Sequence, residues 1–124
     1  MKYLLDSSTI IKLTTGQGEA LRRRAADCLE GEMVTSTVAI AEVLYGSANQ
    51  KPPPLVQLES FMSVVKVLDF DLAAVRAYAT LPFKRASYDR LIAAHALSLG
   101  LTVITDNVQH FADVPGLMVE NWTV

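Results

Sequence analysis

Lys2-Tyr3-Leu4-Leu5-Asp6-Ser7-Ser8-Thr9 opens with a short apolar run, stops at a carboxylate, and passes through a hydroxyl cluster into a new apolar pattern at Ile10, Ile11 and Leu13. The run predicts a strand buried on both faces, then a turn and a helix start. Strands of that kind occupy the middle of parallel sheets, where helices cover both sides. Open α/β sheets bind ligands at the carboxyl ends of such strands. Asp6 therefore stands where these folds do chemistry.

Downstream, Thr9 to about Thr14 reads as a short helix interrupted by Gly16 and Gly18. From Glu19 to Glu30, residues Ala20, Leu21, Ala25, Cys28 and Leu29 recur at helical spacing, and Gly31 closes the pattern. Met33 to Thr35 predicts a second strand. Ser36 or Thr37 caps a helix that is apolar nearly all round from Val38 to Tyr45, with Glu42 in its middle. Gly46 to Pro54 reads as a polar linker and Leu55 to Val64 as a helix. Val65 to Leu68 predicts a third strand ending at Asp69, and Asp71 to Thr80 a helix. Ser87 to Leu99 is the most apolar helix, closed by Gly100; Leu101 to Ile104 is a fourth strand ending at Thr105-Asp106-Asn107. A turn through Phe111 leads to a last strand at Leu117 to Glu120. Alternation of this kind implies an α/β protein with a parallel sheet and right-handed crossovers.

The totals bound the possibilities. With 124 residues, 51% hydrophobic and 19% charged, the chain (1–124) is expected to form one compact domain. No apolar run approaches the roughly 20 residues a membrane span requires. No signal peptide is visible after Lys2, so a soluble, cytoplasmic protein is expected. A single cysteine, Cys28, excludes an internal disulfide and a thiolate metal site, and reads as an inert core thiol. The net charge of -2 does not advertise nucleic-acid binding, although Arg22-Arg23-Arg24 and Lys84-Arg85 with Arg90 are local basic clusters.

Four acids lie where a solvated carboxylate is not expected. Asp6 and Asp106 end apolar strands, Glu42 interrupts an apolar helix, and Asp89 falls in the first turn of the most apolar helix. Singly, Asp6 reads equally as a helix cap, Asp89 as a favourable first-turn charge and Asp106-Asn107 as a turn pair. If they converge, each pair about 4 Å apart repels by roughly 4 kcal/mol at an effective dielectric of about 20. Protonation or a cation must then relieve the cluster. All-oxygen donors favour Mg2+ or Mn2+, and the chemistry that fits is phosphodiester hydrolysis by metal-activated water. His95 reads as a packed helix histidine and His110 as a turn or surface residue.

Leu4-Leu5-Asp6-Ser7-Ser8, Ala41-Glu42-Val43-Leu44-Tyr45-Gly46, Tyr88-Asp89-Arg90-Leu91-Ile92-Ala93-Ala94-His95-Ala96, Val103-Ile104-Thr105-Asp106-Asn107 and the closing Phe111 to Leu117 with Glu120-Asn121-Trp122 resemble, in order and spacing, the segments of PIN-domain ribonucleases. The likeness is strongest to VapC-type toxins of bacterial toxin-antitoxin modules. It implies a three-layer α/β/α sandwich on a five-stranded parallel sheet, and an Mg2+- or Mn2+-dependent endoribonuclease site acting on tRNA or rRNA. Asp6, Glu42, Asp89 and Asp106 match the acidic quartet, with Asp6 and Asp89 as the direct metal ligands. Ser8 and Thr105 match supporting hydroxyl positions. The resemblance further implies a homodimer and a VapB-like antitoxin that inserts a basic side chain into the acidic pocket.

Two segments depart from the family pattern. Ser8 replaces the asparagine common in the first motif, and Thr80 to Ser87 abbreviates a longer arm, bringing Lys84 and Arg85 close in sequence to Asp89. Those two residues are expected to contact the RNA backbone. A receiver domain would need a lysine after the last strands, and none occurs beyond Lys84; a dehalogenase-type phosphatase would need an acid at Ser8. The remaining alternative is a catalytically silent PIN-like protein-binding module.

Overall fold

The computed structural model describes residues 1–82 and 84–124. Strands β1 (Tyr3–Leu5), β2 (Met33–Ser36), β3 (Lys66–Leu68), β4 (Thr102–Ile104) and β5 (Met118–Glu120) form one sheet in the order β3-β2-β1-β4-β5. Every pairing is parallel, and β1 is central, with Leu5 opposite Thr35 on one side and Ile104 on the other. Leu4 and Leu5 are fully buried because layers cover both faces of the sheet.

The helices are α1 (Ser7–Thr14), α2 (Glu19–Ala26), α3 (Thr37–Ala48), α4 (Leu55–Val64), α5 (Leu72–Ala79) and α6 (Tyr88–Leu99), with a 3-10 turn at Val108–Phe111. The chain winds from β1 outward through β2 to β3, then returns past β1 to β4 and β5. Right-handed crossovers in opposite directions put α1 to α4 on one face and α5, α6 and the 3-10 turn on the other. The packing agrees, since α1, α3 and α4 touch one another, α5 lies along α6, and α6 meets the 3-10 turn. The reversal falls between β1 and β4, so the crevice of this sheet opens at their carboxyl ends.

Two predicted boundaries move. The second helix ends at Ala26 instead of Glu30, and Leu29 is exposed. Glu32 is the cause: its carboxylate takes the Leu29 N–H at 2.7 Å and its carbonyl takes the Lys2 and Tyr3 amides, turning the chain to start β2 beside β1. Gly31, at φ +85°, sits in that turn and not at a helix end. The third helix runs on through Gly46 to Ala48, shortening the linker that sequence placed at Gly46 to Pro54. It is also not buried all round: Ile40 and Val43 face the core, whereas Leu44 and Tyr45 are open.

Other expectations hold in detail. Ser36 caps α3 by accepting the Val38 N–H, and Gly100 closes α6 in the left-handed conformation. His95 is buried, with its Nδ1 2.8 Å from the Ser36 hydroxyl and its ring edge-on to Phe70. Burial pushes that imidazole below its usual range. Of the arginine cluster, Arg23 pairs with Glu19 on α2, while Arg24 pairs with Glu120 and lies over the Trp122 ring. Among the described residues no helix is long and apolar enough to cross a membrane.

Candidate active site

Asp6 follows β1 directly, and its amide donates to the Ile104 carbonyl as the β1–β4 pairing ends. Its Oδ1 accepts the Thr9 N–H at 2.9 Å, so it caps α1 as well as facing the crevice. The helix-cap reading of Asp6 is therefore realised. Asp6 is 2% exposed, and burial pushes its carboxyl above the ordinary range. The Thr105 hydroxyl, the Thr9 amide and the hydroxyls of Thr9 and Ser8 oppose that push.

Asp106 leaves the adjacent strand β4 and meets Asp6 across one hydroxyl. Ser8 Oγ lies 3.0 Å from Asp6 Oδ1 and 2.8 Å from Asp106 Oδ1. A hydroxyl has one proton, so Ser8 donates to only one of the two carboxylates at a time. The other oxygen of Asp106 faces the Lys12 ammonium at 2.5 Å. Against the upward push of burial, Lys12 and Ser8 together hold the Asp106 carboxyl below its usual range.

Glu42 enters from the middle of α3. Its Oε1 is buried with no hydrogen-bond partner among the described residues. Burial is the main reason its pKa rises; the Ser7 hydroxyl works the other way, and the negative charges of Asp89 and Asp6 add to the rise. Glu42 thus feels both acids across the crevice. Asp89 stands in the first turn of α6, just after the Ser87 cap, and its Oδ2 lies 2.9 Å from His110 Nδ1.

The structure therefore brings Asp6, Glu42, Asp89 and Asp106 to one end of the sheet, with Ser8 and Thr105 beside Asp6. Among the described residues no three His, Cys, Asp or Glu side chains close around a point that could hold a metal ion. Asp6 and Asp106 meet at Ser8, and Glu42 lies near enough to Asp6 and Asp89 to feel their charge.

Lys84 and Arg85 line a groove of about 420 Å3 together with Asp89, Gln109, His110 and Asp113. Lys84 is engaged there, its Nζ 3.1 Å from Asp113 Oδ2. Arg90, grouped with them in the sequence, is instead buried; it binds the same Asp113 oxygen at 3.1 Å and the Pro82 carbonyl. A second groove, of about 320 Å3, runs past Asp106 and shares Gln109 and His110 with the first.

Sequence reasoning missed two residues of the site. Lys12 carried a usable signal, since it stands four residues after Ser8 and therefore on the same face of α1. His110 carried none, because its partner Asp89 is 21 residues away and only the packing of the 3-10 turn against α6 joins them.

A five-stranded parallel sheet of order 3-2-1-4-5, with acids near its switch point, places the chain in the doubly wound class of α/β folds. The chain belongs to the PIN-domain family, whose model matches residues 3–117, and it groups with the VapC ribonucleases of that family. It is 33% identical over 131 residues to the tRNA(fMet)-specific endonuclease VapC of Salmonella typhimurium, covering 98% of both chains. It is 27% identical to ribonuclease VapC2 of Haemophilus influenzae, again over 98% of each. Among solved structures, the DNA-bound VapBC of Salmonella typhimurium superposes with a TM-score of 0.82 at 31% identity over 98% of both chains. The VapBC2 of Rickettsia felis bound to a promoter DNA fragment gives 0.87 at 23% identity, covering 98% of this chain and 99% of that one.

Proposed function

We propose that this protein is an Mg2+- or Mn2+-dependent endoribonuclease, the toxin of a VapBC-type toxin-antitoxin pair, which hydrolyses phosphodiester bonds in tRNA or rRNA. The observation that carries the metal requirement is the buried, unpartnered Glu42 Oε1 in a space it shares with Asp6 and Asp89. An orphaned carboxylate oxygen among like charges is stable only if protonated or given a cation. The donors are all oxygen, which fits a hard ion, and the open arrangement fits Mg2+ because that ion keeps several of its waters.

Asp6 and Asp89 are the direct ligands in this reading. Glu42 and Asp106 complete the pocket through water or by orienting neighbouring groups. A hard cation bound there supplies Lewis acidity toward the scissile phosphate and lowers the pKa of an attacking water. The Thr9 amide holds the Asp6 carboxylate in place, Ser8 sits between it and Asp106, and His110 engages Oδ2 of Asp89. Lys84 and Arg85 contact the RNA backbone along the groove that leads to Asp89. The activities for which the Salmonella and Haemophilus relatives are named support a ribonuclease, and the first supports tRNA as its target.

A VapB-like antitoxin is the proposed partner, supported by the VapBC complexes that share this fold. Exposed apolar side chains at Leu44, Tyr45, Leu55 and Val56 leave surface for such a partner or for a second copy in a homodimer. An RNA substrate in turn favours a cytoplasmic location. The test is cleavage of RNA by wild type, Asp6→Asn and Asp89→Asn with and without Mg2+. Wild-type cleavage should require the metal and fall by at least about 100-fold in each variant. Metal-stimulated cleavage that survives both substitutions removes the site assignment. A wild type that binds an antitoxin and never cuts RNA establishes the silent binding module instead.

A further inference from the structure

The two sides of the acidic crevice are not electrostatically alike. On one side, Glu42 has a buried oxygen without a partner, and its neighbours Asp6 and Asp89 are also negative. On the other, both oxygens of Asp106 have a neighbour, Oδ2 the Lys12 ammonium at 2.5 Å and Oδ1 the Ser8 hydroxyl at 2.8 Å, whose one proton alternates between Asp106 and Asp6. The Lys12 and Asp106 side chains are only 30% and 23% exposed, so this contact is inside the crevice and not a solvated surface pair. Ser8 spans from Asp106 to Asp6, filling the gap between the acids that end β1 and β4.

Acid-lined phosphodiesterase sites can hold two divalent ions about 3.5–4 Å apart, bridged by a shared carboxylate. With Asp6 as the shared acid, a second ion would sit between Asp6 and Asp106. Here Ser8 already lies between those two acids, and the Lys12 ammonium, reaching from α1, holds Oδ2 of Asp106, an oxygen that a second ion would need.

We propose that Lys12 is the resident cation on the Asp106 side of the crevice and restricts this site to a single divalent ion, held on the Asp6, Glu42 and Asp89 side. The proposal rests on the metal-dependent reading above and adds to it the number of ions and the residue that sets it. Lys12 is a positioning residue here: it keeps Asp106 occupied and keeps a second divalent ion out.

Mn2+ binding to the metal-free full chain tests this without any reference to cleavage. Free Mn2+ is titrated by electron paramagnetic resonance for wild type, Lys12→Met, Lys12→Arg and the double variant Lys12→Met with Asp106→Asn, each checked for folding by circular dichroism. Wild type and Lys12→Arg should bind one Mn2+ per chain. Lys12→Met should bind two, with the spectral signature of a coupled pair, and the double variant should return to one. Should Lys12→Met fail to fold, Lys12→Gln serves in its place, and the wild-type stoichiometry decides on its own account. Two ions in wild type, or one in a folded Lys12→Met and Lys12→Gln, overturn the role of Lys12 and leave the metal-dependent nuclease standing. No ion in wild type overturns both.

Discussion

Replacing Glu42 by glutamine should make the metal-free protein more stable while making it less able to respond to metal. In the native state Glu42 Oε1 is buried without a partner, and Asp89 and Asp6 add repulsion. Leaving such a group uncompensated costs about 1–3 kcal/mol. The lower end applies because the side chain is only half-buried and solvent screens its charge. A gain of about 1–1.5 kcal/mol is therefore expected at neutral pH. With an unfolding entropy of about 0.26 kcal/mol/K for 124 residues, this raises the melting temperature by about 4–6 °C.

The sign with pH follows from linkage. Folding raises the Glu42 pKa above its ordinary value of 4.5, so the native state is disfavoured once pH exceeds the raised value. Below pH 4.5 the carboxyl is protonated in both states, and the gap between wild type and Glu42→Gln should close. With Mg2+ at 100 times its dissociation constant, wild type should gain about 2.7 kcal/mol, or about 10 °C, and Glu42→Gln markedly less. Calorimetry in EDTA and in Mg2+, at pH about 7.5 and about 4, measures all of this. A metal-free variant that melts at or below wild type at pH 7.5, or a gap that persists at pH 4, refutes the picture of Glu42 as an uncompensated charge.

Two further outcomes test the surroundings of the site. Asp113→Asn should lower the urea denaturation midpoint because it removes the charged partner of the buried Arg90, whereas Lys84→Ala, which removes the exposed partner of the same carboxylate, should shift the midpoint less. Because burial lowers the pKa of folded His95 while the unfolded histidine protonates near pH 6.5, stability should fall as pH drops from about 7.5 to 5.5. A His95→Gln variant should show a shallower fall between the same pH values, and an unchanged slope would mean that His95 is not the group responsible.

Sequence alone determined the elements and the candidates. An apolar run that stops at a carboxylate is legible because burial on both faces of a parallel strand leaves no polar position until the strand ends, which is why Asp6 and Asp106 stood out. Caps at Ser36 and Gly100 were equally local, being chemistry between residues a few positions apart. Only the tertiary structure decided how the acids differ. Asp106 meets Lys12, Asp89 meets His110 and one oxygen of Glu42 finds no partner among the described residues, and each of these outcomes depends on packing between elements distant in the chain. Periodicity likewise carried α2 too far and stopped α3 too soon, because the Glu32 turn and the path after Gly46 answer to strand pairing and packing, which no local pattern encodes.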